Sequence, residues 1–150
     1  MRTSNKGIEL IKRYEGCRLT AYKCAAGVPT IGWGHTKGVT MGMKITQAQA
    51  DAMLVEDLKV YEAPVNKYYV NAGVKISQNQ FDALVSLCYN GGAGAITKSL
   101  LTLIKGYAAG RTKMQTITTW WTTHYIRGGG KVLAGLQRRR NEEARLFSQV

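Results

Sequence analysis

Acidic residues are scarce in this chain: 9 Asp plus Glu stand against 21 Lys plus Arg, for a formal net charge of +12. An excess of that size implies an anionic partner. Nucleic acid is the first to weigh, and the pattern argues against it. The cations are scattered over both ends rather than set in one aromatic-interleaved stripe, and no nucleic-acid module pattern occurs. The one dense cluster, Arg138-Arg139-Arg140, is followed by Glu142 and Glu143, which points to pairing along a helix. Long apolar runs are also missing; none reaches the roughly 18 residues a membrane-spanning helix needs. The two histidines lie far apart and no Cys-x-x-Cys occurs, so the usual zinc frameworks are excluded. There is no Gly-x-x-x-x-Gly-Lys loop and no Gly-x-Ser-x-Gly elbow. The sequence therefore predicts neither cofactor nor metal.

What is present reads as a globule. A chain of 150 residues is the size of one domain and can bury a core, and its 45% hydrophobic content is ordinary for a soluble protein. Helices are predicted from about Ser4 to Glu15, Thr46 to Tyr61 and Ser77 to Gly91, with further ones over 99–109, 112–125 and 136–147. Ser4, Thr46 and Ser77 are N-cap candidates, since their hydroxyls can accept from first-turn amides. Gly16, and Gly91 with Gly92, suit helix ends. Pro64 is expected to end or bend its helix, and glycines 128–130 to form a loop. No internal repeat or low-complexity tract occurs.

The most informative stretch runs from Tyr14 to Thr36. Ile8, Ile11 and Glu15 share one helix face, so a single carboxylate closes a face that otherwise points at a core. Burial disfavours the charged form of a carboxylate, and a carboxyl kept protonated is what glycosidic acid catalysis requires. A glycine-punctuated β segment follows, carrying Cys24 and Thr30. Cys24 and Thr30 follow Glu15 at intervals of nine and then six residues, and Thr30 opens the run Thr-Ile-Gly-Trp-Gly-His-Thr ending at Thr36.

That run resembles the motif of the phage-type lysozymes, the endolysins of glycoside hydrolase family 24. The match covers Glu15, Cys24, Thr30, Ile31, Gly32, Trp33, Gly34, His35 and Thr36. Asp57–Glu62, Gln80–Gly91 and Gly128–Glu143 resemble later blocks of the family in the expected order, so the likeness spans nearly the whole chain. It implies an α+β lysozyme-like fold, with a small β-sheet lobe and a larger, mainly helical lobe separated by a cleft. It implies one catalytic domain over residues 1–150, monomeric, with no separate wall-binding module. The implied activity is hydrolysis of the β-1,4 bond between N-acetylmuramic acid and N-acetylglucosamine in peptidoglycan, lysing the host cell. Glu15 would be the acid, with Thr30 and Cys24 facing the scissile sugar and holding or activating a water. Many family members carry Asp at the Cys24 position. The family implies inversion of configuration, while a thiolate could in principle form a covalent intermediate. The implied partners are the glycan strand and an anionic envelope. With no hydrophobic signal segment near the N-terminus, the expected location is the host cytoplasm until release to the periplasm and wall. The alternative is a non-catalytic wall- or polyanion-binding protein on the same fold.

Several side chains carry narrower expectations. His35 is expected to pair with Asp57 and tie the lobes together. Either Arg138 or Arg139 is placed near Glu15 by the resemblance. Cys88 lies on an apolar face with Leu84 and Val85 and reads as core. Trp120 and Trp121 face apart, at least one of them into the core. Cys17 and Cys24 either bridge across a tight turn, as a redox switch, or stay reduced and apart.

Overall fold

The computed structural model describes residues 1–150. Helix α1, Asn5–Glu15, starts at Ser4, whose hydroxyl accepts from the Gly7 amide. The Ser4 amide and hydroxyl both donate to Asp82, a buried carboxylate of the central helix, so the cap is itself seated on the core. Gly7 lies so close that a Cβ there would sit 2.7 Å from Asp82 Cγ, which is why the position takes no side chain. Gly16, at φ 64°, ends the helix and turns the chain into strand β1, Arg18–Lys23. Strand β1 pairs antiparallel with β2, Pro29–Gly32, with a register shift between Arg18 and Tyr22.

Helix α2, Gln47–Val65, opens on a capping box made by Thr46 and Gln49. It runs past Tyr61, where it was expected to stop, and one residue beyond Pro64 the α-helix gives way to a π-helical turn, Asn66–Val70, with the Asn71 amide reaching the Asn66 carbonyl. The reason is packing. Leu58, Glu62, Val65 and Tyr69 are all buried, so one inward face runs across the proline without losing register. The Tyr69 hydroxyl, at its end, donates to the Ile96 carbonyl.

Helix α3, Gln78–Gly91, is the axis of the larger lobe, capped by a Ser77–Gln80 box. Every residue from Gln80 to Cys88 is buried, as a helix covered on all sides requires. Helices α1, α2 and α6 pack on it. A short 3-10 turn, Ala93–Ala95, leads to α4, Ser99–Ala108, and then α5, Met114–Thr123. The glycine run is not a plain loop. It closes a hairpin of β3, Arg127–Gly128, and β4, Lys131–Val132, with Gly129 and Gly130 both at positive φ in the turn. Helix α6, Ala134–Ser148, closes the fold against α3 and α5.

The main hydrophobic cluster passes from Ile11 directly to Leu54 in sequence. The small β lobe between them adds no buried member to it, only the partly buried Trp33 packed against it, and has its own buried group of Ala21, Thr30, Ile31 and Ala50. The two lobes are therefore held together by polar and aromatic contacts near the candidate site.

Candidate active site

Glu15 is the last residue of α1, its side chain 23% exposed. Its Oε2 accepts from Arg139 Nη1 of α6 at 3.3 Å, while Oε1 has no donor within the chain. The guanidinium is thus supplied by Arg139, not Arg138. Arg139 is in turn fixed by its buried surroundings: Nε donates to Glu143 at 3.3 Å, and Nη2 to the carbonyl and hydroxyl of Ser86. Its guanidinium also lies over the Tyr14 ring, 5.6 Å from the centroid.

Glu143 is fully buried and satisfied by several donors at once. Ser86 donates from α3, Trp121 Nε1 from α5 at 3.1 Å, and Arg140 Nη2 from its own helix at 3.1 Å. Arg140 Nε lies 2.8 Å from the other carboxylate oxygen without aiming its N–H at it, so that contact is an ion pair rather than a hydrogen bond. The expected helix pairing is present at Arg139–Glu143 and Arg140–Glu143, but inside the protein, not on its surface. Glu142 pairs elsewhere. It takes Arg13 and the Tyr14 hydroxyl of α1, the latter at 2.7 Å.

Cys24 and Thr30 are brought together by the β1–β2 hairpin. The Cys24 amide and the Thr30 hydroxyl both donate to the Val28 carbonyl, at 3.0 and 2.9 Å. Thr30 is buried, Cys24 half-exposed. The backbone amides of Val28 and then Ala26, with a smaller contribution from the Thr30 hydroxyl, favour the thiolate and hold the Cys24 thiol below its usual pKa. Cys17 lies at the opposite end of β1, where its sulfur accepts weakly from Gln47 Nε2 at 3.7 Å. All three cysteines are free. The bridge across a tight turn is not formed, because the intervening residues make a strand, up to about 20 Å long at 3.3 Å per residue, where a disulfide needs Cα atoms within about 7 Å.

The segment after Thr30 folds into a tight turn, Ile31 and His35 exchanging both backbone hydrogen bonds around Gly32-Trp33-Gly34. Trp33 at its tip touches all three neighbouring helices. Its indole donates to Asp51 of α2 at 2.8 Å, Lys12 of α1 sits over its ring, and its carbonyl accepts from Tyr89 of α3 at 3.0 Å. His35 pairs with Asp57 as expected, Nδ1 lying 2.8 Å from Oδ2. Its Nε2 faces the Lys37 carbonyl at 2.8 Å, so both contacts are hydrogen bonds at once only in the imidazolium. His35, Asp57, Tyr61 and Tyr89 border a small cavity of about 140 Å³ between the lobes. The Tyr89 hydroxyl titrates well above the usual tyrosine range, chiefly through burial and next through the neighbouring Glu15 charge.

Sequence reasoning singled out neither Tyr89 nor Ser86, and gave Trp33 no role beyond the motif. Tyr89 follows the apolar run of α3, and its polar tip at the edge of that run was the available signal. Cys88 is core as expected, burial pushing its thiol up to about 11. Trp121 is buried, whereas Trp120 is half-buried and stacks on His124 at 4.4 Å.

A small sheet lobe set against a larger helical lobe, with one carboxyl at the end of the first helix, is the architecture of a lysozyme. The fold superposes with a TM-score of 0.82 on the endolysin from Escherichia coli O157:H7 phage FAHEc1, at 39% identity over 99% of this chain and 94% of that one. The endolysin of Lactococcus phage c2 is 44% identical over 154 residues, 99% of this chain but only 61% of that protein. The endolysin of Acyrthosiphon pisum secondary endosymbiont phage 1 is 42% identical over 151 residues and covers both chains fully. The phage lysozyme family model matches residues 12–143, and the chain belongs to that family.

Proposed function

We propose that this protein is a peptidoglycan muramidase of the endolysin type, which cuts the β-1,4 bond between N-acetylmuramic acid and N-acetylglucosamine. The observation that carries this reading is the Glu15 carboxyl: one oxygen is anchored by a buried arginine and the other left open. In its protonated form that carboxyl gives its proton to the leaving glycosidic oxygen. Thr30 and Cys24, joined through the Val28 carbonyl, hold a water for the opposite face of the sugar. As the C–O bond breaks, the water oxygen bonds to the anomeric carbon and its proton passes to the Cys24 thiolate. Configuration is inverted, and no adduct forms on sulfur. Every group in this scheme comes from one chain, so a monomer of this single domain suffices. The enzyme acts once it is released from the host cytoplasm to the wall.

Product analysis on purified peptidoglycan tests the proposal. Hydrolysis leaves a reducing muramic acid end, whereas a transglycosylase leaves a 1,6-anhydro end lighter by one water. Glu15→Gln should lower the rate by about 10² to 10⁴ with an unchanged thermal midpoint. Anhydro products, or lysis by Glu15→Gln within a few-fold of the parent, would refute the assignment.

A further inference from the structure

A groove of about 520 Å³ runs between α1 and α6, lined by neither Glu15 nor Arg139, and the mechanism makes no use of it. Lys6 and Arg13 line it from α1, Arg138 and Arg145 from α6. Each pair is spaced i, i+7, two helical turns and about 10.5 Å along its axis. The groove is thus edged by two rows of cations. Glu142 between them is already taken by Arg13 and Tyr14, and Lys6, Arg138 and Arg145 have no acidic partner.

We infer that this groove binds a linear phosphodiester polymer of the cell envelope, a polyol-phosphate chain. Three unpaired cations, Lys6 on one edge and Arg138 and Arg145 about 10.5 Å apart on the other, suit a strand of repeating charges better than a single anion. A nucleic acid strand is disfavoured because the groove offers no ring for its bases. Its one aromatic residue, Tyr14, has its hydroxyl on Glu142 and its ring under Arg139. A lipid headgroup is disfavoured because the apolar lining residues, Leu10 and Leu146, are buried and none reaches out to enter a bilayer. The source of the polymer, a cell wall, rests on the proposed function; the binding itself does not, and is measured without catalysis.

The test is fluorescence anisotropy of labelled poly(glycerol phosphate) with three proteins: the parent, the groove variant Lys6→Gln/Arg138→Gln/Arg145→Gln, and a control, Lys44→Gln/Lys75→Gln/Lys113→Gln, that removes three exposed cations elsewhere. The two variants lose the same net charge. The parent should bind with a steep salt dependence, the groove variant about tenfold or more weakly with a shallower slope, and the control within about twofold of the parent. Equal losses in both variants would reduce the effect to diffuse charge and overturn the site, as would parent-like binding by the groove variant. Phosphatidylglycerol vesicles and single-stranded DNA are titrated alongside. If either binds through the groove residues more tightly than the polymer does, the ligand assignment is wrong. Lysis of polymer-free peptidoglycan should be the same in all three proteins; its loss from the parent itself would instead count against the muramidase reading.

Discussion

At the scale of single residues, three thiols of one chain sit in three different environments. Backbone amides hold Cys24 below the ordinary thiol range, while burial pushes Cys88 up to about 11. Alkylation by iodoacetamide, read by peptide mass mapping, should modify Cys24 with a pH midpoint below the usual value of about 8.5 and leave Cys88 untouched in the folded protein. An ordinary midpoint at Cys24 would mean that the Val28 and Ala26 amides do not support its thiolate. The placement of Glu15 at a helix end and of Thr30 in a hairpin was legible in the sequence, because both are fixed by local structure. The choice between Arg138 and Arg139 was not, because it depends on how α6 is rotated against α3. That rotation is set by Ser86 and Trp121 on other helices meeting Glu143. Of the two alternatives for Cys17 and Cys24, the structure shows the thiols free and apart, because the chain between them is not a tight turn but β1, with strand partners on both β2 and the Met43–Ile45 segment.

At the scale of elements, caps were readable and continuations were not. Ser4, Thr46 and Ser77 all cap their helices, since an N-cap is a local hydrogen bond. The helix through Pro64 outran the expectation because tertiary burial of Val65 and Tyr69 outweighs one missing amide. One contact between elements gives a pH prediction. The last turn of α1 meets α6 through Glu142, where burial works against ionisation but hydrogen bonds from Arg13 and Tyr14 outweigh it, holding the carboxyl below its usual range. Its stabilising contribution is complete above the ordinary carboxylate value of about 4.3 and fades as pH falls through the depressed one. Glu142→Gln should therefore lower the thermal midpoint at pH 6–7 by a few degrees at most, as befits a half-exposed pair worth about 1 kcal/mol or less. The gap should close toward pH 3. A gap that persists undiminished in acid would show that the glutamine disturbs packing rather than charge.

At the scale of the whole molecule, the lobes have separate buried cores and are joined through Trp33, which packs against the main one, Tyr89 and the His35–Asp57 pair. Removing either member of that pair leaves the other partly buried without its partner, at a cost of about 1–3 kcal/mol. A double-mutant cycle on His35→Ala and Asp57→Ala should give a coupling of at least about 0.5 kcal/mol, and strict additivity would show that the two do not interact. The two-lobed α+β plan itself was legible through the motif, whereas the pinning of Trp33 by three helices was not, since its partners are distant in sequence. The buried carboxylate of Glu143 has a further consequence, in the timing of synthesis. Ser86 and Trp121 leave the ribosome before the residue that accepts their hydrogen bonds, and Glu15 emerges 124 residues ahead of Arg139. A nascent chain stopped short of residue 143 leaves its central helix without a polar partner and its carboxyl without an anchor. The Glu15–Arg139 and Glu143 contacts therefore form in a late step of folding, once α6 has been made and docks.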